Sequence, residues 1–207
     1  MKAGTRAGRR FVLGNAKWWR PPAIGLAAAV VCAGPVLPQN GPLAEKIQLC
    51  GACHGEDGNS KMEKIPSLAG QPAFFILNQL FLMREGVRKV EAMAPVVKDL
   101  KDEDLDALSK HFSALPPKKS DEEVDQALAK KGAEIGTHRG CISCHQQGLV
   151  GSEQIPRLAK QRIDYLISSL KEFRDTTRAG GDTAMSANLS GASDADLVAL
   201  AHYCASL

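Results

Sequence analysis

Residues 140–148 read GCISCHQQG, with Cys141 and Cys144 three apart and His145 directly after the second cysteine. A zinc ion, a redox-active disulfide and a covalently attached haem can each begin from such a Cys-x-x-Cys pair. They demand different surroundings, so the rest of the chain has to choose. The same unit occurs once more, as CGACH at 50–54, where Cys50, Cys53 and His54 repeat the spacing 91 residues upstream.

The repetition extends beyond the cysteines. IPSLAGQPAFFILNQL (65–80) aligns with IPRLAKQRIDYLISSL (155–170) at an offset of 90, pairing Pro66 with Pro156, Gln71 with Gln161 and Leu80 with Leu170. DEDLDALSKHFSAL (102–115) aligns with DADLVALAHYCASL (194–207) at an offset of 92. Two copies are too few for a solenoid, whose repeats stabilise one another only when several are stacked, so two tandem domains are expected. They meet around LPPKKSDEE (115–123), where Pro116 and Pro117 end a helix and Ser120 is a candidate cap for the next.

Both copies read as helical. Apolar residues recur at three- and four-residue spacing over 72–85, 161–174, 103–114 and 195–206, and Asp102 and Asp194 stand as candidate caps. No alternating strand pattern is present. The intervening segments, such as GEDGNSKMEKIPSLAGQ and RAGGDTAMSANLSGAS, are long for such small domains and need something to fold upon. Aromatic content is only 5%, thin for two independent cores, so a large apolar cofactor would help each domain bury enough surface.

Covalent haem fits this pattern best. Two thiols on one helical turn can reach the two vinyl groups, and the adjacent imidazole can reach the iron. A zinc site built from the two pairs would span a gap of 87 residues between Cys53 and Cys141 and would leave both histidines unused. A thioredoxin-like disulfide would call for a βαβ setting that is absent from the pattern. His54 and His145 are therefore the expected proximal ligands of two covalently bound c-type haems.

A second axial ligand must come from each copy. After His145 the sequence holds one methionine, Met185. In the first copy Met62, Met83 and Met93 compete, and the duplication selects Met93: it lies 39 residues after His54, as Met185 lies 40 after His145. Met83 aligns with Phe173 on an apolar helix face and reads as core. His111, His138 and His202 have no histidine at the matching repeat position and read as packing or surface residues; Cys204, aligned with Phe112, reads as a small core residue.

The first forty residues carry Lys2, Arg6, Arg9, Arg10, Lys17 and Arg20 and no acid, followed by an apolar run from Ala23 to Ala33. This predicts a secretory signal peptide over 1–33, cleaved near Ala33, with an uncleaved membrane anchor as the alternative. Removing it takes away six bases and turns the formal charge from +3 to −3, since 20 Lys and Arg then face 23 Asp and Glu. The basic balance belongs to the targeting segment, which argues against nucleic acid as a partner.

CGACHGEDGNS, PSLAGQ, FILNQL, EGVR and Met93 resemble the first domain of the di-haem cytochrome c4 family, and the resemblance covers nearly all of the chain after the signal. It implies an all-α protein of two small class I cytochrome c domains, 34–117 and 118–207, each with a His/Met-ligated haem. It further implies a periplasmic one-electron carrier, not an enzyme, working between redox partners such as a membrane oxidoreductase and a terminal oxidase or reductase, with peripheral membrane association. The alternative is an electron-transfer subunit of a dehydrogenase or oxidase complex. CHQQGLVGSEQIPRLAKQ departs from the family pattern: it lacks the Gly-x-Asp-Gly continuation, and Lys160 stands where Gly70 stands in the first copy. These departures leave the loop path after His145 open, but not the attachment of the second haem.

Overall fold

The computed structural model describes residues 41–207. The chain divides into Met1–Leu37 and Pro38–Leu207, and all described residues fall in the second unit. The expected signal peptide and its cleavage point lie outside the described residues.

The described chain is all-α, and its only β feature among those residues is an isolated bridge between Ser152 and Ile155. In the first half, α1 (Pro42–His54) is followed by α2 (Ala73–Arg84), the single turn α3 (Ala94–Val97) and α4 (Asp102–Ala114). In the second half, α5 (Gln126–His138) and α6 (Ile142–His145) precede α7 (Ile163–Arg174), α8 (Thr183–Leu189) and α9 (Asp194–Ser206). One difference is already visible here. The first motif ends a continuous helix, whereas Gly140, with φ 66°, breaks the second copy between α5 and α6.

The helix starts differ from expectation. Asp102 and Asp194 are the first helical residues and not the caps: Lys101 and Ser193 hold the cap positions. Asp104 and Asp196, one turn in, accept from the cap N–H groups at 3.0 and 3.1 Å, and Ser193 Oγ accepts from Asp196 N at 3.2 Å. Carboxylates in the first turn also face the positive end of the helix dipole. Ser120 caps nothing, because α5 starts later, at Asp125, whose carboxylate accepts from Ala127 N and Leu128 N at 2.8 and 3.0 Å.

Each half has its own apolar core. Ile76, Leu80, Val97, Leu100, Leu105, Leu108 and Phe112 form the first. In the second half Leu149, Ile163, Leu166, Ala201 and Cys204 form one cluster, and Leu170, Leu189, Leu197 and Leu200 another. Helices α5 and α9 cross so closely that a Cβ on Gly132 would overlap the carbonyl oxygen of Ala199, so only glycine fits at the crossing.

The halves meet through a reciprocal lock. Gln71 donates through Nε2 to Arg157 O and accepts from Arg157 N, both at 2.9 Å. Its counterpart Gln161 donates to Ser67 O at 2.9 Å and accepts from Ser67 N at 2.8 Å. Since Ser67 and Arg157 are themselves counterparts, each copy clamps the same backbone position of the other, which makes the contact pseudo-twofold. All four residues are buried, so each amide satisfies backbone groups that water cannot reach.

Candidate haem sites

Cys50, Cys53 and His54 lie in the last turn of α1, where helical spacing brings them to one end of the first core. Cys141 precedes α6, and Cys144 and His145 lie within it. None of the five described cysteines is in a disulfide, and among the described residues no cluster of three or more His, Cys, Asp or Glu side chains forms a metal site. Burial pushes the Cys50 and Cys141 thiols up, while Cys53 and Cys144 are exposed.

The two histidines have matching surroundings. Each is 7% exposed, and each ring Nδ1 meets a proline carbonyl, His54 to Pro66 O at 2.8 Å and His145 to Pro156 O at 2.9 Å. A carbonyl can only accept, so Nδ1 carries the proton and Nε2 keeps its lone pair. Burial lowers both imidazole pKa values, with the proline carbonyls working partly against it. A neutral imidazole with an oriented, unprotonated nitrogen is what an iron ligand requires.

The methionines separate as the duplication suggests. Met93 packs against the first core at the start of α3, and Met185 packs against the second half's core within α8. The Met185 segment is more ordered than its glycines imply, since Asp182 caps α8 by accepting from Ala184 N and Met185 N at 2.7 and 3.2 Å. Met62 is 47% exposed, and Met83 joins the first core. Among the remaining histidines, His111 stacks edge-on against Phe112 with centroids 5.0 Å apart, His202 Nδ1 accepts from Asp125 N at 3.1 Å, and His138 is exposed at the end of α5. Cys204 is a buried core residue whose thiol burial pushes up to about 12.

The loop after His145 keeps the anchoring hydrogen bonds of the first copy while being one residue shorter before its proline and adding the Ser152–Ile155 bridge. Leu68 N and Ala69 N donate to Gly58 O at 2.8 and 2.9 Å; Leu158 N and Ala159 N donate to Leu149 O at 2.8 and 3.1 Å. Gly70 N donates to Phe112 O at 3.0 Å and Lys160 N to Cys204 O at 2.9 Å. The hydrogen bonds recur although the glycines do not, and Gln146, Leu149 and Lys160 adopt positive φ of 67°, 53° and 60°. Backbone hydrogen bonding overrides the local preference of these residues for right-handed conformations.

Two residues stand out that the sequence pattern did not mark. Tyr165 lies between Arg88 of the first half and Arg178 of the second. Burial opposes ionisation of its hydroxyl, yet the two guanidiniums bring its pKa below the ordinary tyrosine value. Arg157, 3% exposed, has an Nε without a partner. Only the first of these had a sequence signal, since Arg88 and Arg178 are counterparts at the offset of 90.

This helical fold, with two Cys-x-x-Cys-His sites and oriented imidazoles, defines a c-type cytochrome with two haems. Residues 127–204 match the family described as cytochrome c oxidase, cbb3-type, subunit III, which covers the second copy. The chain is 35% identical to cytochrome c4 of Stutzerimonas stutzeri over 76% of its own length and 84% of that protein. It superposes on the crystal structure of reduced recombinant cytochrome c4 from Pseudomonas stutzeri with a TM-score of 0.72 and 33% identity, covering 79% of this chain and 95% of that one. It is also 30% identical to the thiosulfate dehydrogenase electron acceptor of Stutzerimonas stutzeri, over 76% of this chain and 78% of that one. The chain belongs to the cytochrome c4 family. As a member it is an exported electron-transfer protein, not an enzyme, and carries two covalent c-type haems.

Proposed function

We propose that Cys50 and Cys53 anchor one haem and Cys141 and Cys144 the other, with His54 and Met93, and His145 and Met185, as the axial pairs. The observation that carries this assignment is the repeated Nδ1–proline carbonyl bond, which leaves Nε2 of both buried histidines free to bind iron. The bound haems supply reversible one-electron chemistry, and the Met thioethers favour a high potential. The protein's part is to hold each imidazole rigid, to exclude water with its own core, and so to limit reorganisation as charge changes.

The separate cores support a division into domains 34–117 and 118–207. The basic, acid-free leader supports a periplasmic protein cleaved near Ala33. Among the described residues no helix is long and apolar enough to cross a membrane. The protein serves in a respiratory chain between a membrane oxidoreductase and a terminal oxidase or reductase, through small transient contacts.

Haem staining of a denaturing gel, on protein made with a maturation system, tests the attachment: Cys141→Ala with Cys144→Ala halves the stain, and unstained wild-type protein ends this reading. Met93→Ala and Met185→Ala each change the low-spin spectrum of one haem. If neither spectrum changes, the axial assignment is wrong.

The second reading is a subunit of a dehydrogenase complex, favoured by the similarity to the thiosulfate dehydrogenase electron acceptor. Co-purification of a stoichiometric enzyme partner from the native source separates this reading from a free carrier.

A further inference from the structure

The methionine assigned to the second centre sits on a helix too short to hold itself in place. Helix α8 has seven residues, fewer than an isolated helix needs to persist in water, so its position is set by what it touches. On one side Leu189, 1% exposed, inserts into the core. On another, Ser186 and Ser190 line a polar cavity with Arg174 and Arg178, so that flank faces open space and not a packed wall.

A third contact ties α8 to the haem-binding motif. Arg139 donates through Nη1 to Asn188 O, and Asn188 Nδ2 donates to Arg139 O at 2.9 Å. Two opposed bonds fix the relative orientation of the segments they join as well as their separation, which a single bond does not. Arg139 directly follows α5 and stands two residues before Cys141, with its own N–H held by Ile135 O at 2.9 Å. Helix α5 is packed tightly on α9 at Gly132, so the clasp joins α8 to a rigid helix pair. Asn188 follows Met185 by three residues and therefore lies one turn along the same helix.

The first copy has no equivalent. Counted from the cysteines, the counterpart of Arg139 is Gln48; counted from the methionines, the counterpart of Asn188 is Val96, whose side chain has no polar atom. Met93 stands just before the four-residue α3, and Met93 N and Ala94 N donate to Val90 O at 2.9 and 3.0 Å, within their own loop.

We propose that Arg139 and Asn188 are positioning residues that hold Met185 at the second iron, and that the thioether of Met93, which lacks this clasp, leaves its iron more readily. The proposal rests on the axial assignment made above. A thioether is a soft ligand and holds ferric iron weakly, so its residence there depends on how far its segment can move. Ligand exchange at either centre requires the methionine segment to swing away. In the second copy the clasp must open first.

The test uses the ferric two-haem protein and imidazole as the competing ligand, read through the long-wavelength charge-transfer band that a thioether gives ferric haem. In Met93→Ala the remaining band reports Met185, and in Met185→Ala it reports Met93. The imidazole concentration that removes half of the band is expected to be about fivefold higher for Met185 than for Met93. Asn188 is exposed, so its truncation spares the core. Added to Met93→Ala, Asn188→Ala lowers the half-loss concentration about fivefold, equivalent to about 1 kcal/mol, and added to Met185→Ala it leaves that concentration within about twofold. Arg139→Leu gives the same selective shift from the other side of the clasp. An unchanged concentration in either clasp variant overturns the proposal, as does a shift of equal size at both centres, which would report a general loosening of the fold. Met93 and Met185 yielding at the same concentration while the clasp is intact overturns it as well. A thioether band undiminished by either methionine substitution defeats the axial assignment instead.

Discussion

After His54 the chain runs Gly-Glu-Asp-Gly, and after His145 it runs Gln-Gln-Gly-Leu, yet Gly58 O and Leu149 O accept the same pair of backbone hydrogen bonds. The comparison separates what a loop needs from what makes it easy. Gly58, with φ 72°, takes the left-handed conformation at little cost. Leu149, its counterpart, has φ 53° and incurs about 1–2 kcal/mol of strain, but it is 1% exposed, and burying a leucine side chain returns about 1.5–3 kcal/mol. Burial wins, so the path survives the loss of glycine. The loop beyond accommodates the difference: Pro66 follows His54 by 12 residues and Pro156 follows His145 by 11.

The largest break in the comparison lies at the helix crossing. Gly132→Ala forces α5 and α9 apart, whereas at its counterpart Gly41 a Cβ meets nothing within 4 Å. Thermal unfolding should show Gly132→Ala losing about 3 kcal/mol and Gly41→Ala staying within about 0.5 kcal/mol. Equal losses would mean that the copies bear on stability alike.

The reciprocal amides come next. Gln161→Ala leaves the buried N–H and C=O of Ser67 unpaired and also takes the acceptor from Arg162 N, bonded at 3.0 Å. Chemical denaturation should register about 2–3 kcal/mol for Gln161→Ala and about 2 kcal/mol for Gln71→Ala. A reversed order would show that the junction is less symmetric than its hydrogen bonds.

Lys160 offers a gain in place of a loss. At Gly70, with φ 65°, a side chain would also come within 2.9 Å of Pro117 Cδ, so Gly70→Ala is unfavourable on two counts. Lys160 holds φ 60°, and Lys160→Gly should stabilise the protein by about 1 kcal/mol, read as a rise of a few degrees in Tm.

The smallest effect concerns acid. Lys118 and the Asn59 amide bring the Asp57 carboxyl from its ordinary 3.8 down to about 2. A carboxyl lowered on folding contributes stability that is present above about pH 4 and is lost as pH falls toward 2. The counterpart of Asp57 is Gly148, so only the linker end of the first copy has this contact. Asp57→Asn should flatten the acid limb of the stability curve by less than about 1 kcal/mol, because Asp57 and Lys118 are 46% and 64% exposed.

The helices were legible because apolar periodicity survives duplication: the expected 72–85 and 161–174 became Ala73–Arg84 and Ile163–Arg174. The caps were misplaced by a residue or more, since Asp serves equally well at the cap or in the first turn and only backbone dihedrals distinguish the two positions. Met185 was recognised as a candidate, but its helix was not, because the surrounding glycines mask the cap that Asp182 provides. The path of the loop after His145 was not legible for a related reason. A sequence shows which residues favour positive φ, not which are held there by hydrogen bonds to residues ten positions away.

The amino-acid sequence by itself determined the duplication, the helical class and the two Cys-x-x-Cys-His units, because those depend on spacing and repetition along the chain. The tertiary structure alone decided which nitrogen of each histidine is free, how the two copies clamp each other through Gln71 and Gln161, and that Arg157 is buried without an acid. Those properties arise between residues 11 to 94 positions apart, where partner, distance and solvent access are set by packing and are not written in local pattern.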